Sequence, residues 1–206
     1  MPNSRSHVLT TYSGRQLDLD DCTANAICIE DIAAALSKIC RFGAQTRQFY
    51  SVAQHALLVR DILVEDLGRR DLALYGLHHD SHEAFAGDLP SPLKIKINAE
   101  GSGAHKGLCD HLDDAISAAF GFAIPDDDSE DHAVFERADH TALLIEAHAL
   151  LQDQGDGVRS QLEGKGVDLS AIASARELEA PLTPDDAETQ FLDAHVAAVA
   201  DSAGTR

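Results

Sequence analysis

Apolar positions along the chain recur mostly at helical spacing. From Ile29 onward Ile32, Leu36, Ile39 and Cys40 line one face, and Gly43 is a reasonable stop for that helix. Ser51 with Gln54 three residues on forms a capping box, after which Leu58, Val59, Ile62 and Leu63 carry an apolar stripe to Gly68. A third helix is predicted over about 71–86, stopped by Gly87, with Pro90 and Pro92 preventing immediate resumption. Residues 98–107 are rich in Gly and small polar side chains and read as a mobile loop. Two more helices are predicted over 108–120 and 131–152, and 154–166 reads as a polar, Gly-containing break. Thr183, Pro184 and Asp186 mark the start of a last amphipathic helix through Ala200, either a packing element or a dimer contact. Ahead of all these, Val8 to Tyr12 and Arg15 to Leu19 alternate weakly around Ser13-Gly14, which allows a small N-terminal β-hairpin.

Composition agrees with the pattern. Ala and Leu are abundant, aromatics are few and Trp is absent, so the expected fold class is all-α. At 206 residues a single domain is the default, with a core over about 29–152 and a C-terminal helical extension over 167–206. The formal charge of -19, with 35 Asp and Glu against 16 Lys and Arg, would repel a nucleic-acid backbone, and no basic stripe offsets it. DNA or RNA is therefore not an expected partner, and an anionic substrate would need local cations. No apolar run of spanning length and no signal peptide are apparent, so a membrane partner is not expected either. Cys22, Cys28, Cys40 and Cys109 form no C-x-x-C pair, and reduced thiols in a cytoplasmic protein are the simplest reading.

Three helices carry metal-competent residues where their apolar stripes should continue inward. His55 shares a face with Leu58, Val59 and Ile62, at offsets of three, four and seven. Alone, it reads as a core histidine bonded to a backbone carbonyl. In the run from Leu77 to Glu83, His79 and Asp80 are adjacent and Glu83 lies one turn beyond. That run is either a string of surface polar residues or a site in which His79 and Asp80 share one ion while Glu83 overhangs it. Asp139 sits among Phe135, Ala142 and Leu143, and a buried carboxylate must be neutral, paired or bound to a cation. Glu146, two turns on, reads as a supporting residue, an ion-pair partner or a plain exposed glutamate.

The order His, His-Asp, Asp resembles the HD-domain phosphohydrolase superfamily. The likeness is more specific across Arg41-Phe42-Gly43, Ser51 to His55, His78 to Glu83 and Gly87 to Lys94, which together resemble the YfbR-like 5'-deoxynucleotidase branch over roughly 29–150. Ala138-Asp139 with Glu146 fits that family's last ligand helix. Two positions depart from the frequent family residues: Gln54 stands where a Glu precedes the first ligand, and Phe42 where a Trp follows the phosphate-binding Arg.

The resemblance implies an all-helical HD-domain bundle holding one divalent ion (Co, Mn, Fe, Zn or similar) on His55, His79, Asp80 and Asp139. It gives Glu83 the acid/base position, Asp88 a place near the sugar hydroxyl and reacting phosphate, Arg41 the phosphate contact and Phe42 the neighbouring aromatic position. Arg47 and Lys94 are further candidate phosphate contacts. His78 and His82 are expected to pack or line the rim, with His82 a second candidate for protonating a leaving group. The expected activity is release of phosphate from deoxynucleoside 5'-monophosphates. The alternatives are a dATP-type triphosphohydrolase, dephosphorylation of a nucleoside-analogue phosphate, or a catalytically silent metal- or nucleotide-binding sensor. By the same analogy the chain is expected to form a homo-oligomer, a dimer or larger.

Overall fold

The computed structural model describes residues 7–171 and 176–204. It opens with the hairpin: β1 (Val8–Thr10) pairs antiparallel with β2 (Gln16–Asp18), Leu9 opposite Leu17. Gly14 takes a φ of 83°, which a glycine adopts at little cost in a tight turn. Leu17 is buried in the main core, and buried Asp31 accepts from the Ser13 N–H at 2.6 Å and its hydroxyl at 3.0 Å, so the hairpin is clamped to the helical body.

The rest is helical: α1 (Ile29–Leu36), α2 (Val52–Asp61), α3 (Ala73–His78), α4 (Glu83–Ala86), α5 (Ser91–Glu100), α6 (Ala104–Phe120), α7 (Glu130–Leu150), α8 (Asp156–Gly164) and α9 (Pro184–Gly204). The fold is thus the all-α bundle with a small hairpin that the periodicity predicts. No helix among the described residues is long and apolar enough to cross a membrane. The main core gathers Ile32, Leu36, Leu77, Leu112, Ile116 and Phe191, from α1, α3, α6 and α9. A second cluster joins Val59 and the π-helical turn at Ile62–Asp66 to Phe135, Ala138 and Ala142 of α7. The last helix is a packing element: it lies against α1, α2 and α3, with Phe191 fully buried.

Four expectations are corrected. The first helix ends at Leu36 rather than at Gly43, because Ser37 Oγ and Lys38 Nζ both bond back to the Ala34 carbonyl and close it. The predicted 71–86 helix is broken into a 3-10 turn at Arg70–Leu72, then α3 and α4, with His79–His82 in tight turns between the last two. Residues 98–107 are not a loop: α5 and α6 take most of them, and Pro92 sits in the first turn of α5, where its missing N–H leaves no bond unmade. The break expected over 154–166 is α8, entered through Gly155 at φ 84°.

Candidate metal centre and adjoining cleft

His55 is placed by the Ser51 N-cap. Ser51 Oγ accepts from the Gln54 N–H at 3.2 Å, which starts α2 and puts His55 on its inward face, fully buried. His79 and Asp80 are placed by the break after α3. The Ser81 N–H reaches the His78 carbonyl at 2.9 Å and the Glu83 N–H reaches that of Asp80 at 3.0 Å, three-residue bonds that tighten the chain. Both side chains then face His55. Asp139 comes from the middle of α7, whose neighbouring turns bury Phe135 and Ala142, and its own side chain is 31% exposed.

Four donor atoms converge. His55 Nε2 lies 3.2 Å from His79 Nε2, 3.1 Å from Asp139 Oδ1 and 3.6 Å from Asp80 Oδ2. His79 Nε2 lies 3.2 Å from Asp80 Oδ2 and 3.8 Å from Asp139 Oδ1. The remote nitrogens fix the tautomers: His79 Nδ1–H donates to the Gly76 carbonyl at 2.8 Å and His55 Nδ1–H to Glu146 Oε1 at 2.9 Å. Since a carbonyl and a carboxylate only accept, both Nε2 atoms are left to meet an electrophile. Two imidazole lone pairs at that separation repel unless a proton or a cation lies between them. With protons as the only counter-charge, burial and Arg41 oppose charging of His55, yet Glu146 and Asp139 hold it up to about 10. Burial opposes the charge on Asp139 too, but His55 draws it down to about 2. His55, His79 and Asp80 offer donor atoms within 4.8 Å of one another and could hold a metal ion, with each imidazole oriented from behind and Asp139 Oδ1 3.1 Å from His55 Nε2 as a further oxygen.

Glu146, left open by the sequence, is fully buried and bridges two parts of the site. One oxygen holds His55, and the other accepts from Arg41 Nε and Nη2, both at 3.3 Å. Arg41 Nη1 also lies 3.6 Å from Asp80 Oδ2. Burial opposes the guanidinium charge, and Glu146 with Asp80 more than restores it. The turn that delivers Arg41 is strained: Phe42, Gly43 and Ala44 have φ of 56°, 58° and 61°, a left-handed run costing about 1–2 kcal/mol at each residue other than glycine. It is held by an Arg41 N–H bond to the Tyr50 carbonyl and a Val52 N–H bond to that of Ile39, both 2.9 Å. The Arg41 guanidinium lies over the Phe42 ring at 5.5 Å.

Glu83 is fully buried. Lys94 Nζ donates to its Oε1 at 2.7 Å, while Oε2 has no partner among the described residues. Burial, then Asp80 and Asp88, push its carboxyl up to about 7 against the pull of Lys94. Asp88 also keeps one oxygen buried and unpartnered, and burial raises it as well. Arg47 stands apart: it is exposed, bonds the Gln152 and Leu150 carbonyls at 3.2 and 2.9 Å, and ties the strained turn to the end of α7 rather than facing the cleft. His78 packs among Phe120, Phe122 and Phe191. His82 Nδ1 pairs with Asp113 of α6 at 2.9 Å, and although burial opposes its charge Asp113 holds it up to about 11. No motif pointed to Asp113, which looks like any surface acid in sequence.

Beside the cluster lies a cleft of about 340 Å³ lined by Arg41, Phe42, Asp88 and Lys94 together with Val158 and Leu162 of α8. A cavity of similar size, about 350 Å³, opens between α2 and α9; none of the four donors lines either cavity, but the first is joined to the cluster by Arg41, which lines it and lies 3.6 Å from Asp80 Oδ2. No family model matches the chain. It is similar to the uncharacterized protein YfdR of Escherichia coli, 41% identical over 86 residues covering 42% of this chain and 46% of YfdR. It is also similar to the uncharacterized protein RCAP_rcc00048 of Rhodobacter capsulatus, 40% identical over 112 residues covering 52% of this chain and 53% of that one. The chain spans about half the length of the curated relatives it matches.

Proposed function

We propose that this chain is a metal-dependent phosphohydrolase that releases phosphate from deoxynucleoside 5'-monophosphates. The observation that carries the reading is the placement of His79, Asp80 and Asp139 within 4 Å of His55 Nε2, next to a buried carboxylate with one oxygen unpartnered among the described residues and two cations. The resemblance of the surrounding motifs to HD-domain phosphohydrolases supports it. His55, His79, Asp80 and Asp139 would hold the ion. When bound, a divalent cation there polarises phosphoryl oxygens and lowers the pKa of water.

The chain's own residues do the rest. Glu83, poised near pH 7, takes a proton from the attacking water through Oε2 and returns it to the leaving sugar oxygen, with Asp88 beside that path. Arg41 is fixed from behind by Glu146, so its guanidinium meets the phosphate without rearranging. Lys94, paired with Glu83 and lining the cleft, would offer the phosphate a second positive charge. Both cations already answer carboxylates, which suits the two charges of a monophosphate better than the larger charge of a triphosphate chain.

A product assay tests the reading. Purified protein with cobalt or manganese, offered deoxynucleoside and ribonucleoside mono-, di- and triphosphates, should release inorganic phosphate fastest from the deoxynucleoside monophosphates. Release of intact triphosphate would assign the triphosphohydrolase activity instead, and no release from any substrate would leave a metal-binding sensor.

A further inference from the structure

We propose that α8 is the wall of the cleft that reads the nucleobase, and that Gln161 determines which base is preferred; the inference rests on the nucleotide phosphohydrolase reading above. The residues of α8 and its C-terminal end that line the cleft are Val158, Gln161, Leu162 and Lys165, at offsets of three, four and seven. That spacing is one helical face. Leu162 is 3% exposed and fixes the rotation of the helix, so Gln161, one residue before it and exposed, presents its amide toward the cleft mouth.

The cleft is chemically mixed. Arg41, Asp88 and Lys94 bring charge to the lining, while Val158 and Leu162 together with Leu143 and Leu151 add apolar surface, with Lys165 a further cation at the end of α8. Phosphate gains nothing from an apolar wall. A planar heteroaromatic ring does, because it buries both faces and leaves only its edge to be satisfied. On the described residues the neutral groups able to meet such an edge include two carboxamides, Gln161 on α8 and Gln45 on the strained turn. A carboxamide offers a donor and an acceptor side by side, the complement of a base edge. Gln45 Nε2 lies 3.5 Å from the Gly43 carbonyl, whereas among the described residues the Gln161 carboxamide has no hydrogen-bond partner that would compete with a ligand. Of the two, Gln161 therefore carries the choice of base.

The test compares wild-type protein with Gln161→Leu in two measurements. The first is kcat/KM with manganese for the four deoxynucleoside 5'-monophosphates, each divided by that for deoxyribose 5-phosphate, which lacks a base. Loss of one hydrogen bond predicts that the ratio for the preferred nucleotide falls about five- to tenfold in Gln161→Leu and that the order of bases changes. Ratios that stay the same for all four overturn the role of Gln161. The second measurement is calorimetric binding of the four deoxynucleosides, which needs no catalysis. A deoxynucleoside held about five- to tenfold more tightly by wild type than by Gln161→Leu supports base reading, and equal or undetectable binding overturns it. Should wild type hydrolyse none of the phosphates, the phosphohydrolase reading fails, and the calorimetric result still decides the inference.

Discussion

The donor cluster and the α8 wall of the adjoining cleft were built by different rules. On the metal side, the candidate donors are polar residues set among apolar neighbours, and fully buried His55 must find partners, which His79, Asp80 and the partly exposed Asp139 supply. On the α8 side, the lining is Val, Leu, Gln and Lys, residues ordinary on any amphipathic helix. Charge in a core announces itself, and an apolar wall does not. The contrast also implies different tolerance: one side loses function stepwise with single atoms, whereas the other should trade one substrate for another.

The sharpest way to break this contrast is at the donors. His79→Ala or Asp80→Ala should abolish bound metal, measured by mass spectrometry of the purified protein, together with phosphate release. Full activity in either variant would sink the site assignment. Next in size is Glu83→Ala, for which metal content should hold while kcat drops by about two to four orders of magnitude. If the metal left with the side chain, Glu83 would be a ligand and not a proton carrier. Glu146→Gln keeps shape and removes the charge shared by His55 and Arg41. We expect affinity for the ion, read by chelator competition, to weaken about 10–100-fold, with KM rising in parallel because Arg41 loses its anchor.

Two smaller effects sharpen the comparison by touching its supports. His82 has its pKa raised to about 11 by Asp113, so the pair adds stability that is fully present below the ordinary histidine pKa of about 6.5 and is lost as pH rises toward 11. Denaturant titrations should therefore show a larger gap between wild type and Asp113→Asn at pH 6 than at pH 9, and a gap that widened with pH would reverse the assignment. Ala44→Gly, at φ 61°, relieves left-handed strain and should raise stability by about 1 kcal/mol in the same titration. A loss there would mean that the Ala44 side chain contributes packing that outweighs the strain.

Much of the bundle was legible before any coordinates. The predicted 108–120 and 131–152 helices lie within a few residues of α6 and α7, and of the expected capping box the Ser51 hydroxyl makes its bond to the Gln54 N–H while Gln54 Oε1 stays without a partner among the described residues. What misled the pattern was punctuation. Gly155, Gly157 and Gly164 lower the helix propensity of 154–166, but Leu162 buries 97% of its surface and α8 packs on α7, so tertiary contact overrides the local preference. Conversely, 71–86 keeps helical periodicity through His79–His82 yet is broken there, because His79 and Asp80 take up contacts with His55 that a straight helix would not align. Glu146 had three open readings since a glutamate on a long helix carries no mark of which turn will meet Arg41 and His55.

The residue types and their phase along each helix belong to the sequence alone: period and polarity are local quantities, and they put His55 and Asp139 among apolar neighbours, whereas His79 owes its place to the break after α3. Only the tertiary structure brought side chains 24 and 91 residues apart in the chain to 3.2 and 2.9 Å, because those distances depend on how helices cross. It also decided that Glu83 would lose its water and sit near pH 7, since a carboxyl's proton affinity is set by what surrounds it and not by its neighbours in the chain.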